Sequence, residues 1–335
     1  MRRFWIGIDV SKRKLDVTLL GMTGQLLAQR KISNDREALI KLAAQWCDDH
    51  RFERQEVLVC IEPTGHYSYK VLFALMELGL PTWQAHPLDI KKSIGSTRGK
   101  SDKLDAYRIA QYAFRFNDRA RLITQDYIHT LKLKQLINRR ESLVKRKKVH
   151  QNNLKELNTY LEPSFREECD RIDQEQLALL SAQLKQVEQL IKKMIAADEK
   201  WNAQNELLLT IDGVGPVVAA HLISITDGFT RFKTARELAC HAGFAPFPYT
   251  SGSSIRGRSR VSKQSHKGLK TVVHMGAKSV IQRKCDLQEY YLRKVGEGKK
   301  KMKVLNAVAN KIIHRVCAVI ERGTPYVGYK TSKAV

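Results

Sequence analysis

Four acidic residues stand where carboxylate chemistry can be set up. Asp9 closes the run Ile6-Gly7-Ile8-Asp9 and Glu62 closes Val59-Cys60-Ile61-Glu62, so each follows an apolar stretch that has to be buried. Adjacent strands would bring both to one sheet edge. Asp102 and Asp105 lie three apart in Lys100-Ser101-Asp102-Lys103-Leu104-Asp105, a spacing that puts both on one helix face. Four carboxylates in a partly buried site cannot all stay ionised without counter-charge, because each raises the pKa of the others. Two divalent cations supply that charge. Mg²⁺ suits carboxylate-plus-water coordination completed by phosphate oxygens, and a metal pair about 4 Å apart clamps the attacking and leaving oxygens of an in-line displacement. The chemistry implied is phosphodiester cleavage or transfer. Taken singly, Asp102 reads as a helix cap and Asp9 as a strand-end turn former; it is their combination in a very basic chain that points to a metal site.

A second group is built from serines and cations. Between Glu237 and Asp286 there is no acidic residue, while Arg256, Arg258, Arg260, Lys263, Lys267 and Lys270 crowd the run Ser251-Gly252-Ser253-Ser254. Such a loop suits a phosphodiester backbone. The serines can hydrogen-bond phosphates or shape a turn, or one of them can be a nucleophile. A nucleophilic serine needs an activator, and no His-Asp pair is near in sequence, so metal or the substrate phosphate would have to assist. Upstream, Gly213-x-Gly215-Pro216 sits between helix-like runs in Leu207 to Ser224, the helix-hairpin-helix pattern, whose backbone N–H groups can hold a DNA phosphate.

The elements that must position these residues are legible as periodicities. Phe4 to Val10, Leu15 to Leu20 and Gln25 to Ile32 read as an antiparallel meander with a turn around Gly21 to Gly24. A helix over Arg36 to Asp49 follows, then a buried strand at Glu56 to Ile61, a helix over Tyr67 to Leu78, a short strand at Thr82 to Ala85 and a helix beginning near Ser101. The order βββαβαβα is the ribonuclease H arrangement, although other mixed sheets share it. From about 127 to 205 the chain is long, charged and helical. Leu177, Leu180, Leu184, Val187, Ile191 and Met194 recur there at spacings of three and four, a coiled-coil seam that serves either an intramolecular hairpin or self-association. From about 206 the chain is compact again.

The 335 residues suffice for two cored domains, and 59 Lys+Arg against 34 Asp+Glu leave a net charge of +25. A chain so basic is expected to bind polyanions. No apolar run approaches the roughly 20 residues of a spanning helix, no signal peptide is read at the start, and Cys47, Cys60, Cys169, Cys240, Cys285 and Cys317 have no zinc or disulfide spacing. The expectation is a cytoplasmic, nucleoid-associated protein with reduced thiols and no membrane partner.

Six segments carry a family likeness: I-G-I-D-V-S-K at 6 to 12, I-E-P-T-G at 61 to 65, K-S-D-K-L-D-A at 100 to 106, I-D-G-V-G-P at 211 to 216, A-G-F-A-P at 242 to 246 and S-G-S-S-I-R-G at 251 to 257. In this order they resemble the DEDD transposases of bacterial insertion sequences, the bridge-RNA-guided recombinases. Pro63 and Ser101 stand where alanine and threonine are common in that family, and neither removes a ligand. The resemblance implies a RuvC-like ribonuclease H domain over 1–126, a helical, coiled-coil connector over 127–205, a mainly helical transposase domain with the helix-hairpin-helix over 206–325, and a flexible tail over 326–335. It implies Asp9, Glu62, Asp102 and Asp105 as metal ligands for Mg²⁺. It also implies Ser251 as the nucleophile of a 5′-phosphoserine intermediate, a homo-tetramer (dimer of dimers) whose active site combines acids and serine from different protomers, and donor DNA, target DNA and a noncoding bridge RNA as partners. Gly213, Gly215, Ser253, Ser254, Arg256, Arg258, Arg260, Lys263 and Lys267 are the expected nucleic-acid contacts.

Three rival readings use the same residues differently. A Mg-dependent nuclease of the Holliday-junction resolvase type would employ the four acids with water as nucleophile and dispense with Ser251. A ribonuclease-H-like ATPase needs a second phosphate loop, for which only Thr210 to Gly215 offers itself. A non-catalytic nucleic-acid-binding protein leaves the acids without a purpose.

Overall fold

The computed structural model describes residues 2–95, 101–251, 255–261 and 265–328, with 247–251 and 255–260 described by their backbone alone. The chain divides into two compact units, Met1–Ile128 and His129–Val335.

The first unit is a mixed sheet with helices. Strands β1 (Phe4–Val10), β2 (Lys14–Leu20) and β3 (Leu26–Ser33) form the expected antiparallel meander. After helix α1 (Arg36–His50) comes β4 (Val57–Ile61), then α2 (Ser68–Glu77), β5 (Thr82–Gln84), α3 (Pro87–Ile94) and α4 (Asp102–Arg115). The sheet order is β3-β2-β1-β4-β5, with β4 parallel to β1 and β5 parallel to β4. All five residues of β4 are buried, as a parallel strand covered on both faces must be. On one face Trp5, Leu20, Leu58 and Cys60 pack against Ile109, Ala110, Tyr112 and Ala113 of α4. Gly7 lies on that face too, and a Cβ there would stand 2.3 Å from both the Ala106 carbonyl oxygen and the Ala110 nitrogen. Helix α4 therefore rests backbone-to-backbone on β1, an approach that only glycine permits.

The second unit is mainly helical. It takes in most of α5 (Gln125–Lys155), then α6 (Pro163–Ala196), α7 (Glu199–Leu209), α8 (Pro216–Ile225), α9 (Ala235–His241), the hairpin β6 (Phe247–Ser251) and β7 (Ile255–Arg260), α10 (Lys267–Val280), α11 (Asp286–Gly296) and α12 (Lys301–Arg322). Arg140 pairs with Glu188 at 2.8 Å and His150 with Asp173 at 2.6 Å, so α5 and α6 run antiparallel as a helical hairpin. Leu180 and Ile191 of the expected seam are buried, and Val187, Ile191 and Met194 join the unit's core, which shows that this part of the seam is covered within the chain. The core is centred on α12, whose Val304, Leu305, Val308, Ala309, Ile312, Ile313, Val316 and Val319 form one buried stripe at helical spacing. Tyr326, beyond α12 in the expected tail, donates its backbone N–H to Thr210 at 2.8 Å, and the last seven residues of that tail, 329–335, lie outside the described residues. Among the described residues no helix is long and apolar enough to cross a membrane.

Candidate active site

The register of the sheet sets the site. Ile8 pairs with Ile61 in the parallel ladder, so Asp9 and Glu62 lie side by side one step past its last pair. On the other flank Asp9 is paired with Asp16 of β2. Side chains alternate along a strand, which puts Asp9 on the same face as Gly7 and hence on the α4 side. Because Ala106 and Ala110 sit over Gly7, the first turn of α4, with Asp102 and Asp105, arrives over the C-terminal end of β1. Ser101 is the N-cap of α4, its hydroxyl accepting from the Leu104 N–H at 3.3 Å, so Asp102 is not needed as the cap. Nor is Asp9 needed for the turn after β1, where Ser11 Oγ donates to the Lys14 carbonyl at 2.8 Å and accepts from its N–H at 3.2 Å.

Electrostatics record how close these groups come. The Asp9 carboxyl is pushed up to about 6, first by burial and then by the charges of Asp102, Asp105, Glu62 and Asp16. Asp16 is a fifth acid that sequence reasoning did not single out. It is 7 % exposed, and its carboxylate lies 3.7 Å from the Lys31 ammonium, which is also 4.0 Å from Asp102. Asp105 is paired with Arg108 at 3.0 Å. Among the described residues no three acidic, histidine or cysteine side chains converge tightly enough to chelate one ion. The acids thus share a face and feel one another's charge without closing into a cage. Lys31 and Arg108 supply part of the counter-charge at that face. The chemistry of this donor set fits a divalent cation, since hard carboxylate oxygens crowded enough to hold a proton near pH 6 are relieved by added positive charge.

The serine segment belongs to the second unit. Ser251 is the last residue of β6, paired with Ile255, and Arg256, Arg258 and Arg260 lie in β7. Ser253, Ser254 and Lys263 fall outside the described residues. Lys267 opens α10 and is exposed. Gly213 has φ +87° in the turn between α7 and α8, and Gly215 is the N-cap of α8. The roots of the serine hairpin are joined by histidines that the sequence did not flag. The His266 N–H donates to the His241 carbonyl at 2.7 Å, and the two rings are 5.7 Å apart. His241 is pushed down to about 4, by burial and then by Arg231, His266 and Lys134, so it is neutral at physiological pH.

A transposase model of the DEDD, IS110 type matches residues 6–161, and a model of the transposase IS116/IS110/IS902 family matches residues 205–292. The pilin gene-inverting protein of Moraxella lacunata is 27 % identical over 97 % of this chain and 98 % of its own length. An uncharacterized insertion element IS116 protein of Streptomyces clavuligerus is 23 % identical over 95 % of this chain and 94 % of its own. Among solved structures, T. thermophilus RuvC in complex with Holliday junction substrate aligns with 36 % of this chain and 100 % of that chain, at 18 % identity and a TM-score of 0.28.

Proposed function

This chain belongs to the IS110-type DEDD transposases of bacterial insertion sequences, and from that premise we propose that it is an RNA-guided DNA recombinase working through a metal-bound carboxylate site and the Ser251 nucleophile. The enzyme class, a transposase acting on DNA strands, follows from the family. The observation that carries the mechanism is the gathering of Asp9, Glu62, Asp102 and Asp105 at one end of a mixed sheet whose strand order is that of ribonuclease H.

In this reading the four carboxylates hold divalent cations, Mg²⁺ being the hard cation that their oxygens suit, and the cations supply charge stabilisation to a phosphodiester under attack. Ser251 Oγ forms a bond to a backbone phosphorus as the bond from that phosphorus to the 3′-oxygen breaks. The serine proton passes in net to the departing 3′-oxygen. One phosphoester replaces another, so the 5′-phosphoserine conserves the bond energy, and attack by a different 3′-hydroxyl rejoins the strand and restores the serine. The basic hairpin and the Gly213–Gly215 turn hold backbone, while base pairing with a noncoding bridge RNA selects sequence, which suits a chain whose excess charge reads shape and phosphate. The assembly is a homo-tetramer with composite sites.

The test incubates the protein and RNA transcribed from the flanks of its gene with labelled donor and target DNA in Mg²⁺. Wild type is expected to give a protease-sensitive protein–DNA adduct, and Ser251→Ala and Asp102→Ala are each expected to abolish it. If Ser251→Ala still cuts while Asp102→Ala does not, the enzyme is a water-using metal nuclease and the serine mechanism is wrong.

A further inference from the structure

We infer that the cleft between α5, the α7–α8 turn and α10 is a seat for the phosphodiester backbone of a nucleic-acid duplex, gripped by Lys145, Lys267 and Arg283. The inference rests on the reading that this transposase holds backbone at its Gly213–Gly215 turn, and it extends that contact from a turn to a cleft with named side chains. The cleft has a volume of about 750 Å³ and lies within the second unit. One wall is α5, with Val144 and Lys145; the floor is the turn from Leu209 to Gly215; the other wall runs along α10 from Lys267 to Met275 and on to Arg283. The turn is fixed against α10, because a Cβ at Gly276 would stand 2.1 Å from the Gly213 carbonyl oxygen, so floor and wall meet backbone to backbone.

Charge and shape point to this occupant. Lys145, Lys267 and Arg283 are exposed, and none forms an ion pair among the described residues. Arg140, also in the lining, is already held by Glu188, and the lining carries two carboxylates, Asp212 and Glu141, the latter 3.8 Å from His221, so its four cations outnumber its two acids. The three unpaired cations come from both walls, and Lys267 and Arg283 are roughly 20–25 Å apart at the helical rise of about 1.5 Å per residue, enough to meet several successive phosphates. Between them, among the described residues, the cleft is lined by Val144, Leu209 and Met275, each at least 39 % exposed, and by no aromatic or histidine side chain. Single strands are held by stacking bases on aromatic faces. A cleft with cations on its rims and no stacking platform suits a duplex whose bases stay paired.

The test is equilibrium binding, which needs neither guide pairing nor cleavage. Fluorescence anisotropy of the full chain with a random-sequence duplex DNA, a duplex RNA and a single-stranded DNA is measured from low to moderate salt. The variant Lys145→Ala/Lys267→Ala/Arg283→Ala is compared with Lys185→Ala/Lys192→Ala/Lys193→Ala, which removes the same charge from exposed positions of α6. Each lost phosphate contact flattens the slope of log K against log salt by about 0.9, so the cleft variant is expected to lose about 2.7 from its slope on a duplex. The control should lose little, and single-strand binding should change less than duplex binding. Whether the DNA or the RNA duplex shows the larger loss identifies which of the two the cleft holds. Equal losses in both variants, or a single-strand loss as large as the duplex loss, would overturn the inference. Because catalysis is not measured, a failed adduct experiment leaves this result standing, and the reverse holds as well.

Discussion

Asp9 is the residue on which the metal site can be tested most directly. Its carboxyl titrates at about 6 in the folded chain against an ordinary 3.8. A raised carboxylate pKa stabilises the fold below the unfolded value, and that contribution is lost as pH rises through the folded one, here between about 4 and about 6. In chelator the wild-type chain should therefore melt at a falling temperature across that window relative to Asp9→Asn, and the two should converge below pH 4. Asp9 is only half-buried, so solvent screening reduces the effect to about 1 kcal/mol, or roughly 2–4 °C in Tm at pH 8. Mg²⁺ or Mn²⁺ should raise the wild-type Tm and leave Asp9→Asn nearly unmoved. Melting curves that run parallel across pH and ignore the metal would show that the acids do not form a common site. Asp16 contributes to the same crowding, yet a sequence gives little sign of it. Its place within the run Leu15 to Leu20 is visible as strand, but that it stands opposite Asp9 depends on the length of the Ser11–Arg13 turn, which fixes the register.

At the scale of elements, Gly7 decides whether α4 can bring its acids to the sheet. In Gly7→Ala the new methyl meets backbone atoms of Ala106 and Ala110, which cannot rotate away as a side chain would, so the helix has to lift. Overpacking of this kind costs about 1–3 kcal/mol. The more telling readout is the metal response: the Tm rise on adding divalent cation should shrink or vanish, because Asp102 and Asp105 ride on the displaced helix. A variant that is destabilised but keeps the full metal-induced shift would mean that α4 does not carry ligands. The strands and the larger helices of this unit were legible from the sequence because apolar runs and alternation report burial directly, as with Val57–Ile61. Helix α3 was not, since Pro87 and two lysines in eight residues give it a weak apolar face with Ile90 alone buried. In the second unit the seam from Leu177 to Met194 was legible as a helical period, but what covers it was not, because one stripe serves an intramolecular partner and a second copy equally well. The ion pairs from α5 to α6 settle that for Leu180 and Ile191. The histidines at the roots of the serine hairpin were hidden for a different reason: 24 residues separate His241 from His266, and only the fold returns the chain to its start.

At the scale of the whole molecule, the acids and the serine reside in different compact units of one chain. That separation allows the two halves of the chemistry to come from different copies, as the composite site proposes, and it makes a complementation experiment decisive. Asp102→Ala keeps a good serine and Ser251→Ala keeps good acids, so each alone should be inactive. In a mixed dimer one of the two composite sites joins the intact acids of one copy to the intact serine of the other, and random assortment of a two-fold assembly then restores about a quarter of the wild-type sites. The adduct formed by the equimolar mixture should carry the Asp102→Ala chain alone, because only that chain retains Ser251. A tag on one variant reads this out by size. If each chain completes its own site, every copy in the mixture lacks one half of the chemistry and no adduct appears, however the copies assort. Asp102 is exposed at the start of α4 and Ser251→Ala removes a single oxygen at the end of β6, so both variants are expected to keep the wild-type melting temperature, which assigns the outcome to assembly and not to folding.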